Sequence, residues 1–186
     1  MRCFTALHLH EDVLRKLDRL QKEMKSVIPR GVRWTQESNW HITLHFLGDV
    51  PKEDHDLLYS TLEEGISGHA PFSLTLDAPG FFGSKQKPQV LWVGLQKEPA
   101  LLALHASCQS VLQRDNFRTE ERRYNPHITL GYVKQAHHAA APFQEHVDVW
   151  SIPSVSQLFS EVVLIRSTLR PQGAKYDIVK RFPLGG

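Results

Sequence analysis

Apolar and polar positions along this chain fall into short blocks, and the period within each block predicts a strand or a helix. Arg2 to Leu9 is a compact run of strand formers. From Glu11 to Met24 the apolar residues Val13, Leu17, Leu20 and Met24 recur at the spacing of one helix face, and Pro29 with Gly31 ends that segment. Trp40 to Leu47 is again rich in strand formers and is closed by Gly48 and Asp49. Pro51, Glu53 and Asp54 suit the first turn of a helix reaching about Ile66, with Leu58 and Leu62 on its buried stripe. Phe72 to Leu76 alternates and Gln89 to Leu95 is a continuous apolar run, so both are predicted strands. Between them Ala78 to Pro88, with Gly, Pro and the basic Lys85 and Lys87, predicts a basic loop.

A second helical period runs from Pro99 to Leu112 through Leu101, Leu104, Cys108 and Val111. After the polar stretch Gln113 to Arg123 comes a strand, Pro126 to Val133, and then a connector of small residues, Gln135 to Pro142. Leu158 to Ser167 and Lys175 to Phe182 predict two closing strands joined as a hairpin through Pro171 and Gly173. Strands and helices mixed through hairpin-like joints favour an α+β fold over a doubly wound sheet. No long linker or low-complexity tail interrupts residues 1–186, so one folding unit is expected.

Composition narrows the function. The chain has 186 residues, 41% of them hydrophobic, enough for one compact core or two small lobes. Lys plus Arg number 22 against 20 Asp plus Glu, so a general polyanion clamp is excluded while a local basic patch stays open. Cys3 and Cys108 are far apart and form no C-x-x-C pair, which excludes a disulfide framework or thiolate zinc site and suits a reducing cytoplasm. The opening MRCFTALHLHEDV meets Glu11 and Asp12 before a signal-length apolar run forms, and no stretch nears the roughly 18 apolar residues of a membrane span. A soluble protein without a leader is expected.

Histidine is over-represented, with 11 residues against 4 Trp and 4 Tyr, and a metal is the first idea this raises. His8-x-His10 and His137-His138 are short pairs, but no Asp, Glu or Cys accompanies them at ligand spacing, and a metal site needs three or four converging donors. They are read as surface residues, and no metal or other cofactor is expected.

The informative histidines lie in a repeat. His41-Ile42-Thr43-Leu44 recurs, nearly half the chain later, as His127-Ile128-Thr129-Leu130. On a strand, positions i and i+2 share a face, so His41 and Thr43 point one way while Ile42 and Leu44 point into a core, and the second copy does the same. If two lobes are related by a pseudo-twofold axis, their His-x-Thr faces look at each other across a cleft. Two imidazoles and two hydroxyls fit phosphoester chemistry. One His can serve as base and the other, protonated, as acid, while short Thr donors hold phosphoryl oxygens. Attacking water and leaving ribose oxygen lie on opposite sides of phosphorus, which two opposed histidines can serve; the motifs alone do not say which is acid.

On these residues the sequence resembles the 2H phosphoesterase superfamily, and most closely its RNA 2',3'-cyclic phosphodiesterase branch, also called the 2'-5' RNA ligase or LigT-like family. The likeness takes in MRCFTAL, GVRWTQESNWHITLHFLGDV, PQVLWVGL, YNPHITLGYV and the closing KRFPL, nearly the whole chain. It implies a bilobal fold with a pseudo-twofold duplication, two antiparallel sheets facing a central cleft and helices outside. It also implies metal-independent hydrolysis of 2',3'-cyclic phosphate ends of RNA, or of small cyclic nucleotides, to a 2'-phosphate. His41 would then donate the proton to the leaving 3'-oxygen, His127 would accept one from water, and Thr43 and Thr129 would hold the phosphate. A monomer is expected.

Three positions around the motifs carry further expectations. Many family members have Arg where this chain has Tyr132, so the phosphate-binding cation is either absent or supplied by Arg122, Arg123, Lys85 or Lys87. His45 shares the His41 face and is expected at a solvated strand end. Phe46 has core parity and packs inward unless a bulge turns it, although an aromatic in the family often meets substrate there. The alternative readings are a 2'-5' RNA ligase, another cyclic-nucleotide phosphodiesterase, or a non-catalytic module that binds RNA ends.

Overall fold

A computed structural model describes residues 1–150, 152, 154–171 and 173–185. Four α-helices lie against antiparallel strands, as the α+β expectation requires: α1 (Glu11–Val27), α2 (His55–Ile66), α3 (Pro99–Arg114) and α4 (Ala136–His146). The strands are β1 (Arg2–His8), β2 (Val32–Trp34), β3 (His41–Asp49), β4 (Phe72–Gly83), β5 (Pro88–Leu95), β6 (His127–Val133), β7 (Ser156–Phe159), β8 (Glu161–Arg170) and β9 (Gly173–Pro183). They order as β7-β4-β5-β6-β3-β1-β8-β9, with β2 also on β6.

The two halves of this sheet meet at one point. β3 and β6, the strands that carry the repeat, pair only through Ile42 and Ile128. Beyond that pair they splay, and β2 takes the β6 edge that β3 leaves, setting Arg33 across from Tyr132 and Trp34 across from Gly131. Gly131 is required there, because a Cβ would lie 2.7 Å from Val32 Cγ1. The helices exchange sides. α1 follows β1 yet packs with α4 on the β5 half, whereas α3 follows β5 yet packs with α2 on the β3 half.

Apolar side chains cover one face of the sheet and part of the other. One large cluster joins Leu17, Leu20 and Met24 of α1, Leu58 and Leu62 of α2, and Leu101 and Leu104 of α3 to Ile42 and Ile128. A smaller cluster, Phe4, Ala6, Val163 and Ile165 with Tyr176 against it, covers the opposite face of the β1–β8–β9 half.

Several segments depart from the expected elements. The loop predicted for Ala78 to Pro88 is only the short turn at residues 84–87, because β4 continues to Gly83 and β5 starts at Pro88. Pro79 and Gly80 are tolerated within β4 because its register shifts between Leu76 and Pro79, and Gly80 leaves room for the Trp92 ring. The connector predicted for Gln135 to Pro142 belongs to α4, whose buried Ala139 and Phe143 outweigh an internal proline at Pro142. The strand predicted from Leu158 to Ser167 is two strands: β7 pairs with β4 and β8 with β1, so the chain changes halves at Ser160. The closing hairpin is as expected, with Arg170 opposite Gly173. No helix among the described residues is long and apolar enough to cross a membrane.

Candidate active site

The Ile42–Ile128 pair fixes the site. In an antiparallel register, the neighbours of that pair place His41 across from Thr129 and Thr43 across from His127, all on the face opposite the two isoleucines. That face opens into a cleft of about 570 Å³ lined by His41, Thr43, His127 and Thr129.

A matched irregularity brings in two more side chains. β1 passes from Ala6 opposite Thr43 to Thr5 opposite His45, leaving Leu44 as an extra residue. β5 likewise passes from Trp92 opposite Thr129 to Leu91 opposite Gly131, leaving Leu130 extra. Each bulge reverses the alternation that follows it. Phe46, given core parity by the sequence, is therefore 48% exposed, and both it and Tyr132 line the cleft. His45 moves the other way: it is buried rather than at a solvated strand end.

The imidazoles are oriented identically by the backbone. His41 Nδ1 lies 2.8 Å from the Asn39 carbonyl and His127 Nδ1 lies 2.7 Å from the Asn125 carbonyl. A carbonyl can only accept, so both Nδ1 atoms carry the hydrogen and each neutral ring presents Nε2 as a base. His41 Nε2 accepts the Thr43 hydroxyl at 2.9 Å. The Phe4 and Tyr176 rings stand 4.7 and 5.4 Å from that of His41, and this burial pushes its pKa down to about 4; the neighbouring His127 adds to the effect. His127 meets the edge of Phe82 at 4.8 Å; burial lowers its pKa too, opposed by the Asn125 bond and by Glu120.

The sequence reading did not single out Asn39 and Asn125, although the repeat in fact extends to Asn-x-His-Ile-Thr-Leu in both copies. Nor did it find Tyr124, whose hydroxyl donates to the Thr43 carbonyl at 3.1 Å. Tyr124 stacks on His105 at 3.9 Å and His105 on His45 at 4.2 Å, behind the cleft wall. Nothing in local sequence marks this three-ring stack, which joins α3, β3 and the segment before β6.

The cations expected at the cleft lie elsewhere. Arg123 lines a different hollow of about 540 Å³, beside Asp77 and Glu98. Arg122, Lys85 and Lys87 are exposed and do not line the cleft. Its basic residues are instead Arg33, Arg170 and Lys175, and no Asp or Glu among the described residues lines it. Arg33 lies over the Tyr132 ring at 5.3 Å, beside the place where the family often has an arginine. Among the described residues no group of three metal-ligating side chains comes together.

The profile of the 2'-5' RNA ligase superfamily matches residues 33–168, a span that includes both motifs and most of the cleft. The chain belongs to this superfamily. It is 33% identical to the RNA 2',3'-cyclic phosphodiesterase of Geobacillus stearothermophilus over 98% of its own length, and spans 57% of that longer protein. The protein of the same name from Thermotoga maritima is 30% identical over 96% of this chain and 93% of its own. Among solved structures, a Thermus thermophilus protein superposes with a TM-score of 0.81 at 25% identity, covering 100% of this chain and 99% of the other. E. coli LigT, solved with 3'-AMP, superposes with a TM-score of 0.76 at 26% identity, covering 100% and 98%. Superfamily membership and fold agree with the resemblance read from the two motifs.

Proposed function

We propose that this chain hydrolyses 2',3'-cyclic phosphate ends of RNA to a 2'-phosphate and a free 3'-hydroxyl, with His41 and His127 exchanging the protons. The observation that carries this reading is the matched pair of Nδ1-to-carbonyl bonds, which turns both Nε2 atoms toward one cleft that no Asp or Glu among the described residues lines. The names of the relatives point to the same substrate.

In the proposed step water attacks phosphorus opposite the 3'-oxygen. His127 Nε2 takes the water proton as the new P–O bond forms, and protonated His41 gives its Nε2 proton to the 3'-oxygen as the old bond breaks. Thr43 and Thr129 hold the non-bridging oxygens, and Arg33 meets the phosphate charge in place of the family arginine. An empty cleft keeps His41 neutral; a bound anionic phosphate opposes that shift and favours the protonated form that the donor role requires. Phe46 and Tyr132 flank the reacting group as platforms for a base.

All these groups come from one chain, so a monomer suffices. The two cysteines are buried free thiols, which supports a reducing cytoplasm. The test offers the protein a cyclic-ended oligonucleotide, a 2',3'-cyclic mononucleotide and a 2'-5' dinucleotide side by side in the presence of chelator, and identifies the phosphate isomer formed. A 2'-phosphate from the cyclic substrates is expected. A 3'-phosphate, or no product from either cyclic substrate, defeats the reading.

A further inference from the structure

We propose that Arg170, at the end of β8, is the cation of a subsite for the internucleotide phosphate just upstream of the cyclic end. This rests on the hydrolase reading above and deepens it: the preferred substrate becomes an oligonucleotide end rather than a free cyclic nucleotide.

The cleft gathers positive charge that one reacting phosphate does not need. The chain as a whole is only +2, yet the cleft is lined by Arg33, Arg170 and Lys175 without a carboxylate among the described residues. The cyclic phosphate is a monoanion, already faced by two imidazoles, two hydroxyls and Arg33. Of the two hairpin cations, Lys175 is held by Asp177 at 2.5 Å, a carboxylate that also takes Arg166 at 3.3 Å. Arg170 has no carboxylate partner among the described residues. It is an exposed, unneutralised cation in the same cleft as the catalytic candidates.

The hairpin also carries Arg170 at the end of a paired ladder. Its ladder is paired from Glu161 opposite Pro183 to Arg170 opposite Gly173. Near the tip, Asn39 Nδ2 donates to the Ala174 carbonyl at 2.9 Å, and Asn39 is the residue whose own carbonyl orients His41. Tyr176 stands edge-on to the His41 ring and pairs with Ser167. Arg170 lies three residues beyond Ser167, farther along the hairpin than the Ser167–Tyr176 pair beside His41, and it lines the cleft from that end. The planar fork of a guanidinium loses less freedom per hydrogen bond than an ammonium does when it grips a phosphate at two points.

The test compares kcat/KM for three substrates: a 2',3'-cyclic mononucleotide, a cyclic-ended dinucleotide, and the same dinucleotide with a neutral methylphosphonate linkage. The wild-type protein should favour the natural dinucleotide over the mononucleotide by about tenfold or more, the scale of a charge-assisted contact. The neutral linkage should erase that advantage. The log–log salt dependence should be steeper by about 0.7 for the charged dinucleotide than for the neutral one. In Arg170→Ala the two dinucleotides should be turned over alike, a result that general misfolding would not produce. Equal rates for mononucleotide and dinucleotide, an advantage that survives the neutral linkage, or an Arg170→Ala protein that still discriminates would each remove the subsite and leave the hydrolase standing. Failure of the wild type on every cyclic substrate would remove both.

Discussion

The two copies of the motif share their backbone and differ in what surrounds it. In each, a carbonyl two residues before the histidine holds Nδ1, and the leucine of the motif is the bulged residue that turns the following aromatic into the cleft. Around that common frame, His41 is walled in by Phe4 and Tyr176 and capped by Thr43, while His127 meets the edge of Phe82. Past the bulge the first copy has His45, stacked beneath His105 and Tyr124; the second has Gly131, against which β2 lies. The orientation of each imidazole resides in the shared frame, and the depth of its burial resides in the packing.

The hardest blow to this pairing is to remove either ring. His41→Ala and His127→Ala should each lower kcat on a 2',3'-cyclic nucleotide by about 10²–10⁴-fold, measured by product release. A much milder loss in one of them would mean that only one imidazole moves a proton.

Exchanging the residues past the bulge tests whether the copies are interchangeable. Gly131→His drives a side chain into Val32 and should lower stability by about 1–3 kcal/mol, with β2 and its Arg33 displaced. His45→Gly empties the ring stack and should cost about 2 kcal/mol or more. Denaturant unfolding measures both. If Gly131→His proved neutral, the asymmetry would be incidental.

Protonation sharpens the comparison further. Both histidines are depressed in the free protein, so kcat/KM should peak on the acid side of 6.5, while kcat should peak at higher pH because bound phosphate raises His41. Histidine NMR titration with and without inorganic phosphate follows the ring directly, and a His41 resonance indifferent to phosphate would count against its donor role.

Burial holds His45 and His105, like His41, at about 4. The unfolded chain takes up their protons near 6.5 while the folded one does not. Their contribution to stability is therefore complete above about 6.5 and is lost as the pH falls toward 4, by at most about 1.4 kcal/mol per pH unit for each. Unfolding curves at pH 7 and pH 4.5 should show the drop, reduced in His45→Gly. The smallest effect expected is at the platforms: Phe46→Ala and Tyr132→Ala should raise KM several-fold with little change in kcat.

Much of this was legible in the chain. Helical periods located α1, α2 and α3, and the parity of His-x-Thr put the four candidate side chains on one face, because those rules depend only on neighbours a few residues apart. The same parity misplaced Phe46 and His45, since the bulges at Leu44 and Leu130 arise from register with β1 and β5, strands distant in sequence. α4 was hidden by its small residues and Pro142, which become helical because Ala139 and Phe143 find a core to enter. Basic residues close to the second motif looked like the natural phosphate contacts, but Arg33, Arg170 and Lys175 reach the cleft by strand pairing instead.

By itself, then, the sequence determined the paired motif and the family, because identical short strands with the same alternation announce a duplicated face. Only the tertiary structure decided the basicity of each histidine, the inward turn of the two aromatics and the source of the cleft's charge. Each of those depends on which distant strand or ring lies alongside, and local periodicity carries no information about that.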